Sequence, residues 1–390
     1  MEWRPMTVIA IILAFAAAVI SMTAGVLVLS FGHRLGGMDQ PGSEKHKAHD
    51  RPTPNTGGVA IYWAIALPMA VILAAVWAPA SWWDSVSLLR PIADHVAGLR
   101  STWHVGAGVL AAMTVMHVLG LIDDRRNLGP FVKLGVQLVV FAALVLFCDM
   151  RVLELLDDKF GPAGWLLSAL LSMVWLTVIC NAMNFLDNMD GLAGGVGAIA
   201  AGLYLASTLI GGQYFVAALA ALLVGALVGF LVYNFPPARF FMGDGGSLVL
   251  GLMLGVISIR TTYFVGPAVG DAVAPATDGA SPGGWYGVLM PLMVLAVPLY
   301  DFTSVTLIRL WQGKSPFRGD QQHFSHRLVQ RGLSRPAAVL VIWACTLATG
   351  LSGVMLSTLE GWQAGLAFAQ TAAVLLVLAL LERGAAKQKA

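Results

Sequence analysis

Apolar residues in this chain come in long unbroken blocks, not in the alternation of a strand or the one-sided stripe of a surface helix. A membrane-crossing helix needs roughly 20 mostly apolar residues. That ruler predicts about eleven spans: 5–30, 57–78, 104–122, 131–148, 164–183, 192–211, 213–234, 246–266, 285–310, 336–357 and 363–381. The expected fold is all-α, a single integral membrane domain over 1–390 with no appended soluble domain and no tandem repeat. The first block lacks a small-residue cleavage site, so it reads as a retained span, not a signal peptide. Gly211 and Gly212 divide the sixth span from the seventh.

Polar positions gather between the blocks, and their charges orient the chain. If the N-terminus lies outside and the spans alternate, 17 of the 23 Lys and Arg residues fall on the inner side, as the positive-inside rule requires. The C-terminus is then cytoplasmic. The inner loops are about 32–56, 123–131, 184–191, 235–246 and 311–335. Trp82, Trp83, Trp285, Trp311 and Trp362 fall near span ends and read as interfacial anchors.

Composition agrees: 58% of residues are hydrophobic and 11% charged, against about a quarter charged in soluble domains. A net charge of +2 gives no global electrostatic target and argues against nucleic acid as a partner. Cys148, Cys180 and Cys345 lie in or beside apolar blocks without metal-type spacing, so packing accounts for them.

Carboxylates and amides, costly at membrane depth, cluster at four inner span ends. Asp123 and Asp124 close the third span. Asn181, Asn184, Asp187, Asn188 and Asp190 close the fifth, where helical spacing places Asn184 beside Asp187 and Asn188, and Asp187 three residues from Asp190. Asn234 ends the seventh, and Asp244 opens the eighth within Gly243-Asp244-Gly245-Gly246-Ser247. Five acids at one level repel unless a cation lies among them. Mg²⁺ suits such a set, because it binds through one or two carboxylates with substrate phosphate and water. The glycines of 243–246 would free backbone N–H groups as an anion cradle at a helix N-terminus. Lys45, Lys47 and Arg51 lead into a rigid Pro52-Thr-Pro-Asn-Thr-Gly-Gly58 segment that charge topology alone does not explain. Asp301, with Pro298 one turn earlier, reads as a support for the site or a partner to a helix kink.

The ordered set DDRRNLGPFVK, NAMNFLDNMDGLAGG, NFPPARFFMGDGGSL and DQQHFSHRL resembles the polyprenyl-phosphate N-acetylhexosamine-1-phosphate transferases. The resemblance covers about 45–335, and the combination of four motifs is far more specific than any one. It implies transfer of a phospho-sugar from a UDP-N-acetylhexosamine to polyprenyl (undecaprenyl) phosphate, with Mg²⁺ or, in its place, Mn²⁺. By motif position it implies Asp123, Asp124, Asp187 and Asp190 as catalytic acids, and Asp244 with Asp187 as metal ligands. Lys47, Lys133, Asn184, Asn234, His323, His326 and Arg327 are the implied substrate contacts. The late His323-Phe-Ser-His326-Arg327 resembles the GlcNAc-type branch more than the phospho-MurNAc-pentapeptide branch, whose histidines are adjacent. Ser325 stands where many GlcNAc-type enzymes have a further His. Membrane lipids surround the chain, and small-residue faces offer a surface for a homodimer. The rival outside enzymes is a secondary transporter, which would place its acids near the midplane, often with an internal repeat.

Overall fold

The computed structural model describes residues 3–31, 38–39, 53–85, 90–93, 95–261, 288–315, 322–356 and 359–383. In chain order the helices are α1 (Trp3–Phe31), α2 (Gly58–Ala75), the short α3 (Ala80–Ser85), α4 (Arg90–Ala93) and α5 (Val96–Ser101), then α6 (Trp103–Arg126) and α7 (Pro130–Cys148). The short α8 (Leu155–Phe160) precedes α9 (Pro162–Leu186), α10 (Leu192–Ile210), α11 (Tyr214–Asn234) and α12 (Asp244–Arg260). The short α13 (Met290–Val294), α14 (Ala296–Trp311) and the short α15 (Phe324–Gln330) lead to α16 (Arg335–Met355) and α17 (Gly361–Arg383). The only pairing of strands among the described residues joins Met38–Asp39 to Thr53–Pro54. The protein is therefore an all-α polytopic membrane protein.

Nine helices among the described residues are long and apolar enough to cross a membrane. Two predicted spans depart from that standard, each for a local reason. The block at 246–266 forms α12, whose described helix has 17 residues. Its residues Gly245–Ile259 are all buried, and it packs against α2, α6, α9, α10 and α11. A helix apolar all round is a core helix, so α12 is the axis of the bundle. The block at 285–310 is broken between α13 and α14 at Leu295. Pro298 lacks the N–H that would reach the Val294 carbonyl, and its ring crowds that carbonyl, so the break falls one turn before it. Trp83 also departs from its expected place at the interface: it is buried, whereas Trp82, Trp311 and Trp362 are exposed. Trp285 lies outside the described residues. Cys148 and Cys180 are buried free thiols, as packing requires.

Close backbone approach draws α2, α6 and α12 together. A Cβ on Gly58 would lie 2.2 Å from the Gly246 nitrogen, and one on Gly120 would lie 2.4 Å from the Asp244 carbonyl carbon. Three helices meet at glycine, with no room for a methyl group. The contact falls at the end of the bundle where the polar residues collect.

Candidate active site

The site begins with the turn after α6. Asn127 takes a left-handed conformation, Gly129 has φ +79°, and Pro130 opens α7 at a position where its missing N–H costs nothing. Asp123 closes this turn by accepting the Leu128 N–H at 2.7 Å. The reversal carries Lys133, on the first turn of α7, back over the end of α6. Its ammonium lies 2.8 Å from Asp123 Oδ2 and 2.9 Å from Asp244 Oδ2. One cation thus bridges two acids more than a hundred residues apart in sequence. The other oxygen of Asp244 accepts from Asn184 Nδ2 at 2.9 Å, and the same amide donates to Ser247 Oγ at 2.8 Å.

Asp124 sits differently. Its Oδ1 accepts the Asp244 N–H at 2.9 Å and its Oδ2 the Gly245 N–H at 3.2 Å. It caps the N-terminus of α12 from another helix, and the helix dipole favours the charge there. The anion cradle expected from the glycines of 243–246 therefore holds an internal carboxylate and is not open for a substrate phosphate. Asn55 also donates to Asp124 Oδ1, at 3.1 Å. Around it, Phe241 N donates to Pro54 O, Gly57 N to Phe241 O and Gly58 N to Met242 O. This is the use of the rigid Pro-Thr-Pro-Asn-Thr-Gly-Gly segment: it braces the 235–243 loop and Asp124 together. Lys47 lies outside the described residues.

α9 ends at Leu186, and 187–191 is a turn, so helical spacing does not govern Asp187 and Asp190. The Asp190 carboxylate accepts the Ala238 N–H at 2.9 Å and holds the 235–243 loop. Asn234, expected near the substrate, is 3% exposed and joins three segments: its Oδ1 accepts from Gly191 N and its Nδ2 donates to Phe240 O, both at 2.9 Å. Its amide clamps loops and is turned away from solvent. Asn181 is likewise occupied, bonding Gln137 and the Thr177 carbonyl.

Asp187 is the exception. It is half-buried, and among the described residues its carboxylate takes no hydrogen bond and no ion pair. Burial, then the charges of Asp244, Asp124 and Asp190, push its carboxyl well above the usual range. Among the described residues no three Asp, Glu, His or Cys side chains come together as a preformed metal cage. The donor chemistry still fits Mg²⁺, which needs only one or two carboxylates when phosphate supplies the rest. Asp187 offers carboxyl oxygens, and Asp244 faces the same acidic neighbourhood.

The late loop reaches this end of the bundle through α15. His323 Nδ1 lies 2.7 Å from Asp301 Oδ2, and the His323 ring meets Phe185 edge-on at 6.0 Å. Ser325 Oγ donates to Asn188 Oδ1 at 2.6 Å. His326 and Arg327 follow on α15, with Arg327 Nη2 3.4 Å from Ser304 Oγ. One contributor escaped the motif reading altogether. His117 is buried, its Nδ1 donates to the Gly245 carbonyl at 2.8 Å, and its ring stacks on Tyr62 at 4.3 Å. The signal was its seven-residue spacing before Asp124, which puts both on one face of α6.

Fold and site define a class: a multi-pass membrane protein whose acids and amides, drawn from α6, α9, α11 and α12, meet a lysine at one end of the bundle. Residues 107–262 match glycosyl transferase family 4. The chain is 33% identical to the decaprenyl-phosphate N-acetylglucosaminephosphotransferase of Mycolicibacterium smegmatis, over 88% of this chain and 82% of that protein. It is 29% identical to a Bacillus subtilis protein named "Probable undecaprenyl-phosphate N-acetylglucosaminyl 1-phosphate transferase", over 91% and 87%. It is 30% identical to the phospho-N-acetylmuramoyl-pentapeptide-transferase of Moorella thermoacetica, over 88% and 97%. The chain belongs to glycosyl transferase family 4.

Proposed function

We propose that this protein transfers N-acetylglucosamine-1-phosphate from UDP-GlcNAc to undecaprenyl phosphate, forming the lipid diphospho-sugar and UMP in a Mg²⁺-dependent reaction. The reaction would take place on the cytoplasmic face of the plasma membrane, as the first membrane step of a cell-envelope polysaccharide. The observation that carries this reading is the convergence of Asp123, Asp244, Asn184 and Lys133 within hydrogen-bond reach at one end of the bundle, beside Asp187, whose carboxylate has no partner among the described residues. A transporter site needs no such set at a bundle end. The GlcNAc-type relatives and the spaced His323 and His326 favour this sugar over MurNAc-pentapeptide.

Asp244 and Asp187 would hold Mg²⁺, which when bound offsets the charge of the diphosphate and polarises it. Asn184 fixes the carboxylate of Asp244 in place, and Lys133 adds a second positive charge beside it. An oxygen of the lipid phosphate attacks the sugar-bound phosphorus, the bond to the UMP phosphate breaks, and UMP leaves with the electron pair. Asp123 takes the proton of the lipid phosphate. Its Oδ2 is held by the flexible Lys133 side chain, whereas both oxygens of Asp124 hold backbone N–H groups of α12. His323, just before α15, and His326 and Arg327 on it would meet the sugar–diphosphate. Holding both reactants at one membrane surface supplies the proximity that a two-substrate step needs.

Purified protein incubated with undecaprenyl phosphate and radiolabelled UDP-GlcNAc, UDP-GalNAc or UDP-MurNAc-pentapeptide tests the reading. Labelled lipid from UDP-GlcNAc is the expected result. Product from UDP-MurNAc-pentapeptide alone would move the protein to the other branch, and no lipid product from any donor would refute the enzyme. Recovery of a phospho-sugar covalently bound to the chain would replace direct attack by an aspartyl intermediate.

A further inference from the structure

We propose that Asp301 is a positioning residue that holds His323 with its Nδ1 protonated and its Nε2 presented to the phospho-transfer site. The inference rests on the proposed function for its catalytic consequence, though not for its geometry.

Asp301 lies on α14 with no solvent exposure, and His323 is 6% exposed. A carboxylate so deep in an apolar bundle persists only when its lone pairs are met. Two donors meet them: His323 Nδ1 at 2.7 Å on Oδ2, and the Phe324 N–H at 3.1 Å on Oδ1. An ionised carboxylate only accepts, so Nδ1 carries the hydrogen and Nε2 is the free end of the ring. The ring cannot swing away. Phe185 lies edge-on at 6.0 Å, and Phe185 itself packs on Phe302, the next residue after Asp301, at 5.4 Å.

The location gives this pair a use beyond stability. Phe185 stands between Asn184, which holds Asp244, and Asp187. The next residue but one on α15, Ser325, is fully buried and bonds Asn188 of the same turn at 2.6 Å. The first turn of α15 is thus tied to the acidic turn through Asn188 and to α14 through Asp301, with the imidazole between. A purely structural pair would need only a filled volume and a capped helix. A carboxylate behind an imidazole also fixes which nitrogen can accept or donate at the other end; behind a metal-bound imidazole the loss of such a partner costs about 10- to 100-fold in affinity or activity.

Asp301→Asn separates these roles. Its Oδ1 still accepts the Phe324 N–H, but its amide reverses the preference at Nδ1. In the full-length protein, with undecaprenyl phosphate and UDP-GlcNAc, kcat should fall about 10- to 100-fold, with KM for the nucleotide sugar within about twofold. The variant should elute and melt like wild type. In a His323→Gln background, Asp301→Asn should cost nothing further, because groups acting as one unit are non-additive. Full activity of Asp301→Asn, or losses that multiply in the double variant, would overturn the proposal.

A second measurement does not depend on turnover. In protein labelled with ¹⁵N-histidine, the resonance missing from His323→Gln should report a proton on Nδ1, and Asp301→Asn should move it to Nε2. A wild-type His323 protonated at Nε2 alone would also overturn the proposal. Wild-type protein inactive with every UDP-sugar would instead tell against the proposed function, leaving the tautomer to decide the pairing.

Discussion

Lys133 meets two carboxylates that would otherwise repel each other across less than the length of its own reach. Removing its ammonium leaves Asp123 and Asp244 facing without a counter-charge and takes a positive group from the place where phosphate is to bind. Lys133→Met is expected to lower kcat/KM about 10²-fold in the lipid-product assay, the scale typical of one lost electrostatic contact in a site. Lys133→Arg should recover little, since the longer, planar guanidinium does not fit where a compact ammonium sits within 2.9 Å of both carboxylates. Asp187 behaves in the opposite sense, as an acid without a partner among the described residues. If it and Asp244 hold Mg²⁺, the ion stabilises the folded chain by mass action, by about 2.7 kcal/mol at a hundredfold excess over Kd. Thermal unfolding in detergent should shift upward with Mg²⁺ over EDTA, and Asp187→Asn should remove most of that shift. An equal shift in the variant would exclude Asp187 from the ligand set. These side chains were legible as types: each lay in a motif at a span end. Their separate duties were not, because sequence spacing cannot tell that Asp124 turns to α12, that Asp190 turns to Ala238, or that Asn234 faces inward.

At the scale of elements, the site depends on how closely α2, α6 and α12 approach. The glycines on these helices place backbone against backbone, so the cap from Asp124 and the bond from His117 reach the first turn of α12 directly. Gly58→Ala would bring a methyl group within 2.2 Å of a backbone nitrogen, which no side-chain rotation relieves. Overpacking of this kind costs about 1–3 kcal/mol, so a lowered melting temperature is expected, with activity falling as Asp244 is displaced. Unchanged melting and turnover would show that the helices separate without consequence. His117→Phe keeps the ring against Tyr62 but removes the side-chain bond to the Gly245 carbonyl, at about 0.5–1.5 kcal/mol in melting stability. Most helices were legible from block length alone, even the pair divided at Gly211 and Gly212. The break before Pro298 was half legible: the proline was visible, but its consequence for Val294 required the helix to be placed. The use of Asn55 was invisible, since it depends on Asp124, 69 residues away.

For the whole molecule the decisive property is sidedness. The C-terminal ends of α6, α9 and α11 and the N-terminal ends of α7 and α12 meet at one end of the bundle, joined through Asp123, Lys133, Asn184, Asn234 and Asp244. Alternation of spans then puts the loop carrying α8 at the opposite end, where Arg151 pairs with Asp149 and Asp157. Nucleotide sugars are made in the cytosol, so the acidic end must face inward for the proposed reaction to run, and the excess of Lys and Arg around that end argues for the same side. Asp158 is exposed on α8, and Gln312 is exposed just past α14. In a background with Cys345 replaced, and with Cys148 and Cys180 shielded by burial, a membrane-impermeant maleimide should label Asp158→Cys in intact cells. Gln312→Cys should react only after the membrane is permeabilised. The reverse pattern would put the carboxylates on the outer surface, away from any UDP-sugar, and the phospho-transfer reading could not survive it.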